Sequence, residues 1–282
     1  MVEPRQPLPQ GCKRPVGGWV PPPLPFESVE AQYRQHVEGS SDELAPVLSG
    51  LDVDLVPLSV VHAGELYEAL TTDMAGSTTT AKTLFDFLPI DGVANEAALK
   101  DWISMMREDT TFFLLTVKAG TPRQAVGFFS LMRATPKAGS IETGWVTFSP
   151  ALQRTRAATE AFYLLLRYTF NELGYRRHEW KCDAANLPSR RAAQRLGFSW
   201  EGLFRNAAVV KGLNRDTAWF AMTCEDWLTL EAKAFQPFLS AENFDSHGLQ
   251  RVGLSALTAP LLHATDPLQD HQRAQLALGQ QA

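Results

Sequence analysis

The chain of 282 residues is 45% apolar and 20% charged, a composition typical of a soluble globular protein with one sizeable core. Its formal net charge of −5 excludes the basic surface of a nucleic-acid-binding domain, so we expect no nucleic-acid partner. Three cysteines and six histidines show no disulfide or metal-ligand spacing, and no apolar run reaches the roughly 20 residues of a membrane span. We therefore expect a cytoplasmic protein that binds neither a metal nor a membrane.

Turn-forming and apolar residues divide the chain into three predicted segments. Residues 1–50 include the Pro-rich run 21–25 and are predicted to be an extended arm and linker, with a short helix near 29–38. Residues 51–236 are predicted to form a single folded domain. Residues 237–282 have weak periodicity and many Gln, Ala and His, so we expect a mobile C-terminal tail.

Apolar periodicity within the predicted domain indicates a mixed α/β fold, with a mostly antiparallel central sheet flanked by helices. Period-two patterns predict seven strands, at residues 52–58, 111–117, 124–133, 139–148, 177–183, 198–210 and 217–223. Steps of three and four residues predict helices at 59–70, 95–108, 153–173 and 225–235, and a shorter one between Asn186 and Gly197.

The helix predicted from residue 153 follows directly on a strand and a loop, which leaves several amides of its first turn without acceptors. Those donors, added to the positive end of the helix dipole, form a site for a phosphate or pyrophosphate. The candidate phosphate loop comprises Gln153, Arg154, Thr155, Arg156, Ala157 and Ala158. Taken alone, the loop is better explained as an ordinary helix N-terminus. The segments before and after it favour cofactor binding instead.

Those segments occur in a recognisable order. Ile-Glu-Thr-Gly at 141–144 precedes the loop, Asn186-x-x-Ser189 follows it, and Leu-Gly-Phe at 196–198 comes shortly before Glu-Gly at 201–202. Together these segments resemble the GNAT acyltransferases, in particular the branch that contains the ribosomal-protein N-acetyltransferases RimJ and RimL. The resemblance covers residues 52–230 and is specific for the superfamily, whereas none of its motifs identifies the acceptor.

The resemblance implies that acetyl-CoA is the co-substrate and that the phosphate loop binds its pyrophosphate. It also implies that strands 141–148 and 177–183 splay apart to admit the pantetheine arm. In the family the loop reads Gln/Arg-x-x-Gly-x-Gly/Ala. This chain keeps Gln153 and Ala158 but has Arg156 at the first Gly, where the side chain either hinders close backbone approach or adds a phosphate contact.

The reaction that the resemblance implies moves an acetyl group from a thioester to an amine, which needs a polarised carbonyl and a proton for the thiolate. By analogy with the family, backbone amides at Gly144, Trp145 and Val146 would polarise the carbonyl, with Gly144 allowing close approach. Ser189 is the candidate to protonate or hydrogen-bond the leaving sulfur, and capping of the short helix is its equally weighted alternative. Asn186 is expected to bind the pantetheine amides or to hold the loop.

Glu142 is the candidate general base, directly or through a water, because it lies on the strand expected to border the acceptor pocket. An ion pair with a neighbouring Arg or Lys is its alternative role. Trp145 and Trp180 are candidates for the acceptor pocket, or for the core. Charged residues around the last hairpin could contact the acceptor or the cofactor's 3′-phosphate, or simply be solvated: Arg205, Lys211, Arg215 and Asp216.

Several functions remain open at this point. The leading prediction is an acetyl-CoA-dependent N-acetyltransferase acting on a primary amine, and the acidic net charge favours a small amine or amino acid over a ribosomal partner. A protein N-terminal, ribosomal-protein-like acetyltransferase is the alternative. A non-catalytic CoA-binding module is the second class, which Arg156 keeps open. The protein is expected to be a monomer or a homodimer.

Overall fold

One sheet organises the described residues, which in this computed structural model are 22–24, 46–72, 84–109 and 111–268. Its eight strands are β1 (Leu48–Ser49), β2 (Val53–Pro57), β3 (Phe112–Ala119), β4 (Gln124–Thr135), β5 (Ser140–Phe148), β6 (Arg177–Asp183), β7 (Ser199–Val210) and β8 (Leu213–Thr223). They lie in the order β1-β2-β3-β4-β5-β6-β8-β7, and every pairing except β5–β6 is antiparallel. The predicted mixed α/β class with a mostly antiparallel sheet is confirmed.

Helices cover both faces of this sheet. Those on the first face are α1 (Ala63–Thr71) and α2 (Glu96–Glu108). We call it the acceptor face only because the sequence predicts the acceptor pocket beside Glu142, which lies on this side. Those on the opposite face are α3 (Arg156–Arg167), α4 (Leu187–Arg195), α5 (Cys224–Leu230), and the short α6 (Gln236–Leu239) and α7 (Leu254–Thr258). The larger hydrophobic core lies under α3 to α5 around Phe129, Phe162 and Phe198, and the smaller core lies under α1 and α2 around Trp102 and Phe128.

The α3 helix is held at both ends and along its buried face. Thr155 caps its N-terminus by accepting the Ala158 amide at 3.0 Å, so the helix begins at Arg156 and not at residue 153 as predicted. Its apolar residues pack onto the sheet. The Glu160 carboxylate, 7% exposed, accepts the amides of Leu51, Asp52 and Val53, which joins α3 to the turn before β2.

Residues 237–268 were expected to belong to a mobile tail, and the structure corrects that expectation. We call residues 236–268 the C-terminal segment. Phe238 and Leu254 are each 1% exposed in the larger core, and the Thr258 and Asp266 side chains are fully buried. Each turn of this segment is too short to show a helical period, and its order comes from contacts with distant residues, which local patterns do not reveal. Residues 269–282 lie outside the described residues.

The Pro-rich arm is described only at residues 22–24, where the Tyr175 hydroxyl donates to the carbonyl of Pro23 at 3.1 Å. The helix predicted near residues 29–38 lies outside the described part of the chain. Within that part, no helix combines the length and the apolar character needed to cross a bilayer. The same residues contain no group of three or more His, Cys, Asp or Glu side chains arranged to hold a metal ion.

Candidate active site

A gap opens in the middle of the sheet where its two parallel strands separate. The β5 and β6 strands pair from Ser140–Arg177 to Thr143–Trp180, and no register continues beyond that point although both strands do. Beyond Thr143, β5 keeps its register with β4 but has no register with β6. A strand edge that is not covered by the next strand of its sheet offers main-chain donors and acceptors to an extended ligand carrying amides. The structure thus shows the splayed strands that the sequence resemblance implies.

A buried hydrogen bond lies where the gap begins. Thr143 Oγ1 and His178 Nε2 are 2.6 Å apart, and Thr143 belongs to the last registered pair of β5 and β6. His178 is fully buried between Phe170 and Phe198, and burial lowers its pKa from 6.5 to about 3, against the opposing charge of Glu179. The imidazole is therefore neutral at physiological pH and joins the two strands just before they diverge.

The β5 strand carries a bulge at the start of the gap. Three residue steps from Gly144 to Thr147 oppose two steps from Phe128 to Ser130 on β4, and Trp145 has a φ of 51°. A non-glycine residue in this left-handed region is strained, and such strain concentrates at functional sites. The bulge reverses the alternation of side chains: Thr143 bonds His178 on the side of the larger core, whereas Trp145, two residues later, packs on Trp102 over the acceptor face. Gly144 lies opposite Ser130, where an added Cβ would overlap the sulfur of Met132.

The phosphate loop lies at the same end of the sheet, at the N-terminus of α3. The amides of Arg154, Arg156 and Ala157 have no acceptor among the described residues, whereas the Ala158 amide is bound by the cap. Arg154 is exposed with a φ of 64°, and Gln153 donates from Nε2 to the carbonyl of Phe148 at 2.8 Å. Three free donors at the positive end of a 12-residue helix suit a phosphate or pyrophosphate.

Arg156 occupies the position where the family pattern has glycine, and its side chain points away from the free amides. The guanidinium donates to the carbonyl of Leu239 at 2.8 Å, pairs with Asp52 at 3.3 Å, and lies 5.0 Å from the ring centroid of Phe244. Two of these contacts belong to the C-terminal segment. In this structure the Arg156 side chain therefore binds that segment to α3, while its backbone amide has no acceptor among the described residues.

A cavity of about 680 Å³ opens beside the same helix terminus. It is lined by Thr155, Arg156 and Ala157 of α3, by the turn between β3 and β4, and by Phe244 of the C-terminal segment. Arg123 also lines it and pairs with Asp54 while donating to the carbonyls of Gly50 and Leu51. Because its cations are matched by carboxylates, the cavity itself has no strong preference for an anion.

The α4 helix presents Ser189 at the carboxyl end of β6. Asn186 caps this helix by accepting the Ser189 amide at 3.1 Å, so the cap is Asn186 and not Ser189. The Ser189 hydroxyl instead accepts from the indole of Trp180 at 3.0 Å. It also faces the buried thiol of Cys182, whose pKa burial raises to about 11 although the hydrogen bond from Ser189 opposes the change. Because Trp180 uses the hydroxyl oxygen as an acceptor, the Ser189 proton can be donated to a sulfur atom.

Glu142 lies on the acceptor face, paired with two cations. Arg133 Nη1 is 3.0 and 2.9 Å from its two oxygens, and Lys181 Nζ is 2.8 Å from Oε2. The carboxylate side chain is 4% exposed and that of Lys181 is 9% exposed. Lys181 also pairs with Glu179 at 2.7 Å and lies 3.9 Å from the ring centroid of Trp219. The structure thus shows the ion pair that the sequence left open as the alternative to a base role.

The charged cluster continues across β6 to the edge of the sheet. Arg177 bridges Glu179 and Glu201, and its pKa is raised chiefly by the hydrogen bonds that it donates to Glu201. Burial would raise the pKa of Glu179, but hydrogen bonds from Lys181 and Arg177 outweigh burial and lower it. Three cations and three carboxylates alternate along this row, so the acceptor face is charged but close to neutral in sum.

The tip of the β7–β8 ribbon reaches across the gap on this face. Lys211 donates to the carbonyl of Phe85 at 3.0 Å and pairs with Asp91 at 3.1 Å, although Phe85 packs in the core on the other side of the gap. Lys211, one of the hairpin residues considered as acceptor contacts, therefore links the β7–β8 ribbon to the segment that contains Phe85 and Asp91. Behind it, Phe204 stacks on Trp219 at 4.4 Å between ring centroids, which forms an aromatic wall next to Lys181.

Comparison with known proteins agrees with this geometry. The family model of the acetyltransferase (GNAT) domain matches residues 53–199, just over half of the chain. The chain belongs to the GNAT family. A GCN5-related N-acetyltransferase from Brucella melitensis superposes on it with a TM-score of 0.73 at 34% identity, covering 86% of this chain and all of that one. Members of this family use acetyl-CoA as co-substrate, and the protein is accordingly an acetyl-CoA-dependent acetyltransferase.

Two further relatives mark the limits of the comparison. The uncharacterized N-acetyltransferase YnaD of Bacillus subtilis is 33% identical over 86 residues, which cover 30% of this chain and half of YnaD. The ribosomal-protein-S5-alanine acetyltransferase of Vibrio fischeri superposes with a TM-score of 0.50 at 14% identity, over 64% of this chain and 97% of that one. That second likeness shows the fold alone, and the acceptor of this GNAT protein does not follow from it.

The structure gathers most of the predicted site residues around one gap, and two residues that contact them were missed. The β5 bulge, the phosphate loop and the start of α4 all lie at the end where β5 and β6 diverge. Trp180, a candidate for the acceptor pocket or for the core, lies in the larger core, and its indole donates to the Ser189 hydroxyl. Arg133 and Lys181, the partners of Glu142, were not singled out as individual residues. Alternation placed Lys181 on the same face of β6 as Glu179, so that signal was available.

Proposed function

We propose that the protein acetylates the primary amine of a small molecule or amino acid in the cytoplasm, with acetyl-CoA held in the β5–β6 gap. The observation that carries the proposal is the position of three donor groups around this gap. Free amides of the phosphate loop lie at its mouth, the bulged β5 edge forms one wall, and the Ser189 hydroxyl lies at the end of the other. An extended amide-containing chain ending in a pyrophosphate matches that arrangement.

Acetyl-CoA supplies the activated acyl group, and each part of the chain has a separate task. The loop amides of Arg154, Arg156 and Ala157 bind the pyrophosphate. The β5 edge at Gly144 to Val146 orients the thioester, with backbone amides near its carbonyl oxygen. As the amine nitrogen bonds the acetyl carbon and the C–S bond breaks, Ser189 Oγ, whose oxygen is occupied by Trp180, turns its proton from the Cys182 thiol to the leaving sulfur. The proton that the amine nitrogen loses restores the Ser189 hydroxyl through solvent.

A small acceptor is favoured by the crossing of the ribbon over the acceptor face. Lys211 joins the ribbon tip to the segment around Phe85 and Asp91, and this link narrows the approach for a folded protein. The row of charges ends at two exposed groups, Arg133 and Glu201, which suit the carboxylate and the amine of one substrate because each would meet an opposite charge. The net charge of −5 also disfavours an RNA-rich partner such as the ribosome.

The test is thiol release from acetyl-CoA with a panel of small amines, amino acids and short peptides, followed by mass spectrometry of the products. We expect turnover on a small amine or amino acid to exceed turnover on any peptide. Ser189→Ala should lower kcat about 100-fold with little change in CoA affinity, because its hydroxyl acts on the leaving sulfur. Ser104→Ala, which removes an exposed serine hydroxyl of α2 that donates to the carbonyl of Lys100, is the matched control and should leave kcat unchanged.

Other results would overturn parts of the proposal. Preferred turnover on peptides would identify a protein N-terminal acetyltransferase. Tight CoA binding without thiol release from any amine would identify a non-catalytic CoA-binding module. Unchanged kcat in Ser189→Ala would remove the hydroxyl from the mechanism while leaving the acceptor assignment in place.

A further inference from the structure

A buried ion pair joins the C-terminal segment to the helix that carries Ser189. Arg190 Nε and Nη2 donate to the two oxygens of Asp266 at 2.6 and 2.5 Å. The Arg190 side chain is 5% exposed and that of Asp266 is fully buried. Charges are expensive to bury, and a two-pronged Arg–carboxylate pair fixes both distance and orientation. This contact therefore sets the position of Arg190 more strictly than apolar packing would.

Arg190 also contacts two other parts of the fold. Its Nη1 donates to the carbonyl of Ala184 at 2.7 Å, at the end of β6, and its guanidinium lies 5.2 Å from the ring centroid of Trp200. Arg190 is the residue directly after Ser189, within the first turns of a nine-residue helix. A helix this short is marginal by itself, so its orientation depends on such tertiary contacts.

The Asp266 backbone reinforces the same link. The Asp266 amide donates to Gln194 Oε1 at 3.1 Å, and Gln194 Nε2 donates back to the carbonyl of Ala264 at 3.3 Å. At the far end of α4, Thr258 donates from Oγ1 to the carbonyl of Arg195 at 3.1 Å. The C-terminal segment thus contacts α4 at both ends, and the Asp266 contact lies next to Ser189.

We propose that Asp266 is a positioning residue, which acts through Arg190 to hold the first turn of α4 so that the Ser189 hydroxyl points into the β5–β6 gap. The inference rests on the proposed role of Ser189 toward the leaving sulfur. It assigns a task in the reaction to a residue that lies beyond residues 53–199, the region matched by the GNAT family model.

The sulfur itself reports the position of Ser189. A hydrogen bond to a thiolate favours the charged form, so the thiol of bound CoA should have a lowered pKa, measured by the ultraviolet absorbance of the thiolate as pH rises. Titration of the ligand-free protein is subtracted, because Cys182 lies against Ser189 and titrates near pH 11. Ser189→Ala should raise the pKa of the bound thiol by about 1 to 2.

Asp266→Asn should raise the pKa of the bound thiol by about 1 while the protein stays folded and binds CoA. The double variant Ser189→Ala/Asp266→Asn should match Ser189→Ala alone, because the two changes act on one hydrogen bond. Thr258→Val is the matched control: it removes a contact with α4 far from Ser189 and should leave the pKa of the thiol unchanged. If Asp266→Asn does not fold, Arg190→Lys, which keeps the charge and loses the fork, replaces it with the same expected rise.

The outcomes separate the inference from the proposal beneath it. Failure of the wild-type protein to bind CoA, or an unchanged thiol pKa in Ser189→Ala, would overturn the proposed role of Ser189 and the inference with it. A rise in Ser189→Ala without a rise in Asp266→Asn or Arg190→Lys would overturn the inference alone. An equal rise in Thr258→Val would show that the C-terminal segment acts on the whole helix, which also contradicts a specific role for Asp266.

Discussion

The role of Glu142 depends on the side chains that surround it. Its position on β5, two residues before the bulge, is where a base for the acceptor would be sought. Yet Arg133 occupies both oxygens and Lys181 shares one of them. Both oxygens of the carboxylate are therefore already engaged in ion pairs. The base role remains a prediction, and the contacts favour the structural role.

The variant Glu142→Gln separates these two roles. We expect the free energy of unfolding to fall by about 2 kcal/mol, less than the roughly 3–5 kcal/mol of an isolated buried pair, because Glu179 stays beside Lys181. Turnover should fall by the same factor at every pH. Urea denaturation and a pH profile of kcat measure the two effects. Glu179→Gln, which removes the other partner of Lys181, is the control, and a loss confined to low pH in Glu142→Gln would establish the base.

His178 predicts how stability depends on pH. The unfolded chain takes up a proton on this residue below pH 6.5, whereas the folded protein does so only near pH 3. Stability from this group is therefore fully present above pH 6.5 and is lost as the pH falls, by roughly 3 kcal/mol at about pH 4.

Denaturant unfolding at several pH values measures this dependence. Carboxylates also contribute to acid unfolding, so the quantity compared is the difference between wild type and His178→Leu/Thr143→Val, which removes both partners together. The variant should show a shallower loss between pH 6.5 and 4. Parallel curves for the two proteins would mean that His178 is protonated, or solvated, in the folded state.

At the scale of elements, the sequence predicted what depends on local pattern. The apolar rows of α3, the alternation of β6 and the Asn186 start of α4 are each readable from neighbouring residues, and all three occur in the structure. The separation of β5 and β6 was expected only from the family resemblance. The bulge at Trp145 was not predicted, because a left-handed tryptophan has no signature in a strand pattern.

Contacts between elements were the part that the sequence could not show. The guanidinium of Arg156 was expected either to hinder or to bind a phosphate, and it binds the carbonyl of Leu239 instead. Residues 76 positions apart form the Arg190–Asp266 pair. No local period links such residues, since each belongs to an element whose own pattern is complete without the other. The residues that hold the candidate site together were therefore harder to predict than those that form it.

At the scale of the whole molecule, the C-terminal segment is part of the domain's core. Phe238 and Leu254 pack under α3 to α5, Asn243 holds a turn through the carbonyls of Phe238 and Val252, and Asp266 neutralises Arg190. The Trp200 amide also donates to the carbonyl of Ala264 at 3.0 Å, which extends pairing at the start of β7. This segment thus contacts both helices that begin beside the gap, α3 through Arg156 and α4 through Arg190.

Deletion of residues 241–282 tests this dependence. The deletion removes Leu254 from the core and leaves Arg190 buried without its carboxylate, which costs roughly 3–5 kcal/mol for the ion pair and roughly 2–5 kcal/mol for the leucine. That sum approaches the whole stability of an ordinary domain, so we expect a protein that is largely insoluble or unfolded at room temperature. Deletion of residues 269–282 is the matched control, since it removes none of these contacts and should leave Tm and solubility unchanged. A soluble 1–240 fragment with wild-type Tm would contradict the prediction and show that the segment contributes little to the stability of the domain.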